Sequence, residues 1–519
     1  MDAHRPRTLT LDSGRIEAWG QCERRAWLQA HAPAEAGEPD GLARYLAIQR
    51  ADLRRVLRAT VGLGNREAPK PSDVASGRPG TDALGVGQAL LDVSFEAPMT
   101  ALAPSLARGP DLRVRTTVDM LERAADGLVL TTLATGARVR EHHVRRLALT
   151  SLVAAARGWP AGTMRVLHVD RRGHHDDASE LLASVDVTER CLNEQRHLPL
   201  RLEAVAASVV ASREPDTAVG SHCFRPRRCP FVDRCWGRLQ GRSIDRVWGL
   251  RSTTRRAWRS AGWLELEHVP DAPPGLTAQE RLAVRDTLEG RVRVDRTALG
   301  AALARLRFPI AYLDMEFATP AVPLVEGSAP FEPLPFQFSV HLEGADGGVE
   351  ALACLRTDPD EDPRRPLAEA LAPILQRASS IVVYDAGSEH RLLEALADAA
   401  PAVAPSLRSA GDRLWDLLPT IQNALRHPGF AARWDLKQVA TTLAPGSYRD
   451  VHLADGLAAQ AVWRGLLRTH RPDREAALHR YCEADSRAML EIVRVLRRWS
   501  QPGGGPAEGR VSPPRRPPP

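Results

Sequence analysis

The stretch Phe308-Pro309-Ile310-Ala311-Tyr312-Leu313-Asp314-Met315-Glu316-Phe317 constrains the fold of this chain more than any other. Apolar and aromatic residues dominate it, so it reads as a buried strand, yet it carries two carboxylates. Side chains two apart on a strand leave the same face, so Asp314 and Glu316 stand side by side while Met315 points away. Two ionised carboxylates in apolar surroundings repel each other and lose hydration unless a cation lies between them. The pair points to a site for Mg²⁺ or Mn²⁺ of the kind that serves phosphoryl transfer. The plainer alternative is an edge strand with one solvated face.

A chain of 519 residues exceeds what one core holds, so two or three domains are expected. With 43% hydrophobic and 26% charged residues the composition is that of an ordinary globular protein. No apolar run of about 18 residues occurs, which argues against a transmembrane helix. Met1-Asp2-Ala3-His4-Arg5-Pro6 lacks the apolar core of a secretory signal, so a cytoplasmic location is expected. There the seven cysteines stay reduced, and clustered ones are read as metal ligands rather than disulfides. The net charge of +6, carried almost wholly by arginine, mildly favours an anionic partner such as nucleic acid. An arginine-preferring genome explains it equally well.

The cysteines form a frame. Ile16, Trp19 and Trp27 have the spacing of an amphipathic helix and its exit, and Cys22 lies among them. Far downstream, His222-Cys223-Phe224-Arg225-Pro226-Arg227-Arg228-Cys229-Pro230-Phe231-Val232-Asp233-Arg234-Cys235-Trp236 places three cysteines at five-residue gaps in a proline-broken loop. With Cys22 they make four thiolates, enough for a cubane iron–sulfur cluster or a tetrahedral zinc. The arrangement resembles the iron–sulfur nucleases of the RecB/AddB and CRISPR-adaptation type over roughly residues 8–240. In those proteins one early and three late cysteines staple a PD-(D/E)xK domain. Their late gap is more often two residues, so [4Fe-4S] and Zn²⁺ both remain open, with His222 a neighbour rather than a ligand.

The same resemblance implies catalytic acids that are largely missing. Asp119, within Arg113–Leu121, matches the family's first acid. The next strand carries Glu-x-Lys in the family but reads Leu128-Val129-Leu130-Thr131-Thr132-Leu133 here, and Thr150 stands where a glutamine is usual. One acid does not assemble the family's metal site. The domain is therefore expected to be a catalytically inactive nuclease fold kept as scaffold and DNA contact, with Asp119 a solvated or turn-facing acid.

Residues 241–305 read as a helical junction, with helices expected over Val247–Ala261 and Ala278–Glu289 and Thr277 as an N-cap. Trp248, Trp258 and Trp263 are expected to pack an interface. After the Asp314 strand, Pro333–Leu342 alternates as the next antiparallel strand. A third apolar strand, Ser380–Tyr384, ends at Asp385-Ala386-Gly387-Ser388-Glu389, where a helix begins; acids at such a point face a cleft. Asp416 sits in an apolar segment, and Tyr481 and Asp485 are four apart on a late helix, sharing a face.

This order of carboxylates resembles the DEDD exonucleases, which have the DnaQ-like, RNase H-type fold. The chain as a whole resembles an uncharacterised bacterial family joining a cysteine-framed RecB-like half to a DnaQ-like half. The matching stretches are Leu313–Glu316, Phe336–Ser339, Tyr384–Ala386, Tyr448-Arg449-Asp450 and Tyr481–Asp485. The resemblance implies an α/β protein of two domains. Residues 1–240 are the PD-(D/E)xK-like domain with its Cys22, Cys223, Cys229, Cys235 metal frame, and 306–500 a mixed sheet flanked by helices. Residues 501–519, rich in Pro, Gly and Arg, are read as a disordered tail.

It further implies a 3′–5′ exonuclease acting on DNA or RNA in repair or nucleic-acid processing. Asp314, Glu316, Glu389 and Asp485 would be ligands to two Mg²⁺ or Mn²⁺ ions, with Tyr481 orienting the attacking water and Asp416 supporting the site. The second motif departs from the family's Asn-x-x-Phe-acid pattern: Asp385 replaces Asn and Ser388 the aromatic, leaving Glu389 as ligand by position, with Asp385 as a supporting acid that could compensate. Lys437, a rare lysine, is expected beside the substrate as a phosphate contact. A catalytically decayed nucleic-acid-binding or assembly protein is the alternative that the altered motif keeps open.

Overall fold

Asp12 both ends the first strand, β1 (Leu9–Asp12), and starts the first helix, α1 (Ser13–Gln21), its carboxylate accepting the Arg15 amide at 2.8 Å. The computed structural model describes residues 9–38, 40–61, 84–106, 111–173, 180–237, 242–271, 273–431 and 433–504. The tail expected from residue 501 lies outside the described residues beyond 504. The protein is mixed α/β and divides into two units, Met1–Gly237 with Pro320–Glu332, and Arg238–Thr319 with Pro333–Pro519. Among the described residues no helix is long and apolar enough to cross a membrane.

In the first unit, β1 and α1 are followed by α2 (Glu23–His31), α3 (Gly41–Thr60), β2 (Ala89–Pro98), β3 (Leu112–Ala124) and β4 (Gly127–Leu133). Then come α4 (Glu141–Ala155), β5 (Ala161–Val169), β6 (Leu182–Asp186), α5 (Thr188–Gln195), α6 (Leu198–Val210) and α7 (Val232–Trp236). β1 runs parallel to β3, β2 and β4 antiparallel to it, β5 parallel to β4, and β6 antiparallel to β5. The apolar stripe of α4 (Val144, Leu147, Ala148) packs into the core with Val114, Val118 and Leu130 of the sheet.

Indole N–H groups need partners once buried, and these join the two ends of the unit. Trp19 donates to Ser208 Oγ at 2.9 Å and Trp27 to the Ala211 carbonyl at 2.8 Å. Gln21 Nε2 donates to the carbonyls of His222 (2.6 Å) and Arg227 (2.8 Å), and Arg24 pairs with Glu214 at 3.2 Å.

Residues 320–332, read from sequence as part of the second half, belong with this unit. Ala321, Val322 and Phe331 pack with Leu53, Leu57, Leu91, Met120 and Leu133, and the Ala321 amide donates to Gln49 at 2.8 Å. Apolar side chains in that loop are satisfied by a core far from them in sequence, which no local pattern signals.

The second unit starts with α8 (Ser252–Ser260) and α9 (Ala278–Glu289). The helix expected over 247–261 begins later because Gly249 is left-handed, with φ +82°. Trp258 and Trp263 pack with Ile244, Val247 and Leu266, whereas Trp248 lies edge-on to Trp434 with the Arg426 guanidinium 3.9 Å over its ring. Then come β7 (Arg293–Val294), α10 (Arg296–Leu303), β8 (Ile310–Ala318), β9 (Leu334–Glu343), β10 (Val349–Leu355), α11 (Arg364–Arg377) and β11 (Ser380–Val383). They are followed by α12 (Ala386–Ala399), α13 (Ala404–Gly411), β12 (Leu414–Asp416), α14 (Leu417–Ala424), β13 (Leu425–Arg426), α15 (Leu436–Leu443), α16 (Gly456–Leu466) and α17 (Pro472–Ser500).

Five strands form one sheet in the order β10-β9-β8-β11-β12. The first three pair antiparallel, and β8, β11 and β12 run parallel. Ala311, Leu313 and Met315 of β8 face α11, α12 and α13, whereas Ile310 and Tyr312 face the side of α17.

β9 fixes α17 along its length. Its odd positions, Gln337, Ser339, His341 and Glu343, are all buried. Gln337 Nε2 donates to the Leu478 carbonyl at 3.1 Å, and Ser339 and His341 meet Ser486 Oγ at 2.8 and 2.9 Å. Glu343 accepts from Arg494, Arg497 and Tyr312, at 2.9, 2.9 and 2.8 Å. Buried polar groups left unpaired cost about 1–3 kcal/mol each, so sliding α17 by one residue is penalised at several points together.

Candidate active site

Three elements deliver carboxylates to one place because their lengths differ. β11 pairs with β8 only from Ser380↔Ile310 to Val382↔Tyr312, so among the described residues the C-terminal half of β8 has no strand partner on that edge. The free Met315 amide donates to the Glu389 carboxylate from the first turn of α12. Asp314 and Glu316 stand on the face opposite Met315, where α17 crosses and brings in Asp485. One ligand oxygen from each of Asp314, Glu316 and Asp485 lies within 4.8 Å of the others. Glu389 stands beside this trio, close enough for its charge to act on Glu316 and for that of Asp314 to act on it.

Burial strips these acids of water, and each then feels the others' charge. Desolvation first, then Asp485, pushes Asp314 well above the ordinary carboxylate range; desolvation, then Asp314 and Asp485, does the same to Glu316. Desolvation also raises Glu389, and it pushes Asp485 up to about 6 against the pull of Tyr448 and Lys437. Among the described residues, Glu389 Oε2 is buried without a hydrogen-bond partner. A buried acceptor left bare beside three more carboxylates is the environment a divalent cation suits, since it replaces the missing hydration and cancels the repulsion. The donor set is all oxygen, which fits Mg²⁺ or Mn²⁺.

The supporting residues have distinct tasks. Asp385 takes a left-handed backbone, φ +74°, which Asn and Asp tolerate better than other side-chain-bearing residues. Asp416 accepts the amides of Asp385 (3.3 Å), Ala386 (3.0 Å) and Leu418 (3.0 Å), so it fixes the turn that aims Glu389. Tyr481 is buried one helical turn before Asp485, and desolvation and the charge of Glu316 raise its pKa. The hydrogen bond to Asp485 Oδ1 comes instead from Tyr448. Lys437 donates to the carbonyls of Leu453 and Ala454 and lies over the rings of Tyr481 (4.6 Å) and Tyr448 (5.5 Å).

Two residues at this site went unassigned in the sequence. Tyr448 was visible only as part of a family-like stretch, with no role attached. Cys482 Sγ lies 3.5 Å from Asp314 Oδ2, and its position between Tyr481 and Asp485 was the one available hint.

In the first unit, Asp119 departs from expectation: it is 2% exposed rather than solvated. Arg50 Nη2 donates to both of its oxygens (2.6 and 2.7 Å), Arg54 Nε donates at 3.2 Å, and Thr132 Oγ1 and the Leu133 amide at 3.0 and 2.8 Å. A carboxylate so engaged is consumed as a structural ion pair. Cys22, Cys223, Cys229 and Cys235 line one small cavity together with His222, Arg25 and Phe231. Desolvation raises the thiols of Cys22 and Cys229, and the neighbouring thiolates push them further. Four thiols lining one pocket are the donor set that an iron–sulfur cluster or Zn²⁺ would take. His222 Nε2 lies 3.7 Å from Cys223 Sγ, as a neighbour of the group.

A family described as a domain of unknown function, DUF2779, matches residues 311–435, a span that holds Asp314, Glu316, Glu389 and Asp416. No curated protein matches the chain. No solved structure matches it either.

Proposed function

We propose that the second unit is a metal-dependent 3′–5′ exonuclease of the DEDD type, acting on DNA or RNA in repair or nucleic-acid processing. The observation that carries this is the meeting of Asp314, Glu316 and Asp485, from elements about 170 residues apart in sequence, with ligand oxygens within 4.8 Å of one another. The strand order β10-β9-β8-β11-β12, with β9 antiparallel to both its neighbours and β8, β11 and β12 parallel, supports the RNase H-like reading. The polarity follows from the resemblance alone.

In this reading Asp314, Glu316, Glu389 and Asp485 hold two divalent ions. When bound, such ions make a water acidic enough to attack a phosphodiester at neutral pH and offset charge on the leaving 3′ oxygen. Tyr481 orients the attacking water through its hydroxyl, and Asp416 keeps Glu389 aimed at the site by fixing the turn before α12. The first unit is a nuclease-like scaffold without chemistry of its own, because Arg50 and Arg54 occupy its remaining acid. Its four cysteines hold a [4Fe-4S] cluster, or Zn²⁺ as the alternative.

The test is incubation of 5′-labelled single-stranded oligonucleotides with Mg²⁺ or Mn²⁺. Stepwise loss of 3′ nucleotides is expected, and D314N/E316Q should abolish it. Metal-dependent cleavage that survives the double variant would remove the assignment. Binding without any cleavage would favour the decayed, nucleic-acid-binding alternative.

A further inference from the structure

The chain between α15 and α16 touches the carboxylate site at two points. Tyr448 gives its hydroxyl hydrogen to Asp485 Oδ1, and one residue earlier Ser447 donates to Glu491 on the same helix, α17. At the other end Asp455 caps α16, accepting the Ala458 amide at 2.8 Å. Gly456, next to it, lies against Glu316: a Cβ there would stand 3.6 Å from Glu316 Oε2. Lys437 fastens the stretch between these points, its ammonium donating to the carbonyls of Leu453 and, at 2.9 Å, Ala454. The same ammonium covers the face of both tyrosine rings.

An aspartate on a helix turns freely about its side-chain bonds unless something holds it. Hydrogen-bond partners behind a metal ligand remove that freedom, and losing one typically weakens metal binding about 10–100-fold. Of the three N–H bonds of Lys437, two are engaged by backbone carbonyls, which suits a clamp better than a free phosphate contact. The geometry points to Tyr448 and Lys437 as positioning residues that, through segment 447–456, hold Asp485 and Glu316 ready for a divalent ion. This rests on the metal-dependent reading above.

The experiment is equilibrium Mn²⁺ binding to the full-length protein, followed by the paramagnetic resonance of free Mn²⁺, for wild type, Y448F and K437M. Thermal melting checks each fold. Y448F removes one oxygen and keeps the ring beside Lys437. Expected is a roughly 10-fold or greater loss of affinity at one ion in both variants. On a single-stranded oligonucleotide, kcat should fall while KM holds. Wild-type Mn²⁺ affinity in Y448F overturns the role of Tyr448. Normal Mn²⁺ binding with a raised KM in K437M overturns the clamp and makes Lys437 a phosphate contact. A wild-type protein that binds no Mn²⁺ overturns the exonuclease reading itself, and this inference with it.

Discussion

Asp119→Asn separates a structural from a catalytic role for the first unit. The carboxylate is buried, and two guanidinium groups depend on it: Arg50 through contacts of 2.6 and 2.7 Å and Arg54 at 3.2 Å. Removing one partner of a buried ion pair costs about 3–5 kcal/mol, chiefly because the remaining charge is stranded. Here the side chains of Arg50 and Arg54 keep 28% and 37% of their exposure, so water takes up part of the loss. Asparagine also still accepts from Thr132 or the Leu133 amide. The cost therefore sits at the low end of that range, about 3 kcal/mol. At about 2–4 °C per kcal/mol for a domain of this size, the first unit's transition should fall by about 6–12 °C. The assay is differential scanning calorimetry of the full chain beside the nuclease assay, with cleavage per folded molecule expected to be unchanged. An unaltered melting profile combined with lost metal-dependent cleavage would refute the ion-pair argument and return Asp119 to a metal site.

In the metal-free protein, burial lifts Asp485 from an ordinary 3.8 to about 6. The folded chain then keeps a proton that the unfolded chain has released, so this carboxyl's contribution to stability is lost as pH rises from about 4 through about 6. A gap of roughly two pH units corresponds to about 3 kcal/mol. Melting temperature without metal should be lower at pH 7.5 than at pH 5, and saturating Mg²⁺ should raise it more at the higher pH. A metal effect equal at both would count against the buried carboxylate cluster. Replacing residues 320–332 with a short Gly-Ser linker should lower the first unit's melting temperature, because Leu53, Leu57 and Leu91 lose their cover. An unshifted transition would show that cover to be dispensable. Anaerobically purified protein should be brown if the four thiols hold iron–sulfur. C229S should lose that colour, and a colourless protein with stoichiometric zinc would decide for the alternative.

Period and spacing alone determined which side chains share a face. Alternation set Asp314 beside Glu316 and opposite Met315, and the four-residue step put Tyr481 and Asp485 on one side of α17. Capping chemistry was equally local: Thr277 with Glu280 forms the expected box. These follow from backbone geometry repeating every two or 3.6 residues, so a short window suffices.

Tertiary structure decided what each polar face meets. The alternation of β9 was legible, but its odd positions are buried against one long helix rather than solvated, because α17 supplies their partners. The arginines on Asp119 lie 65 and 69 residues away, and Tyr448 lies 37 residues from Asp485. A buried charge or hydroxyl takes whichever complementary group the packed chain brings within 3 Å or so, and that choice leaves no periodic trace in the sequence.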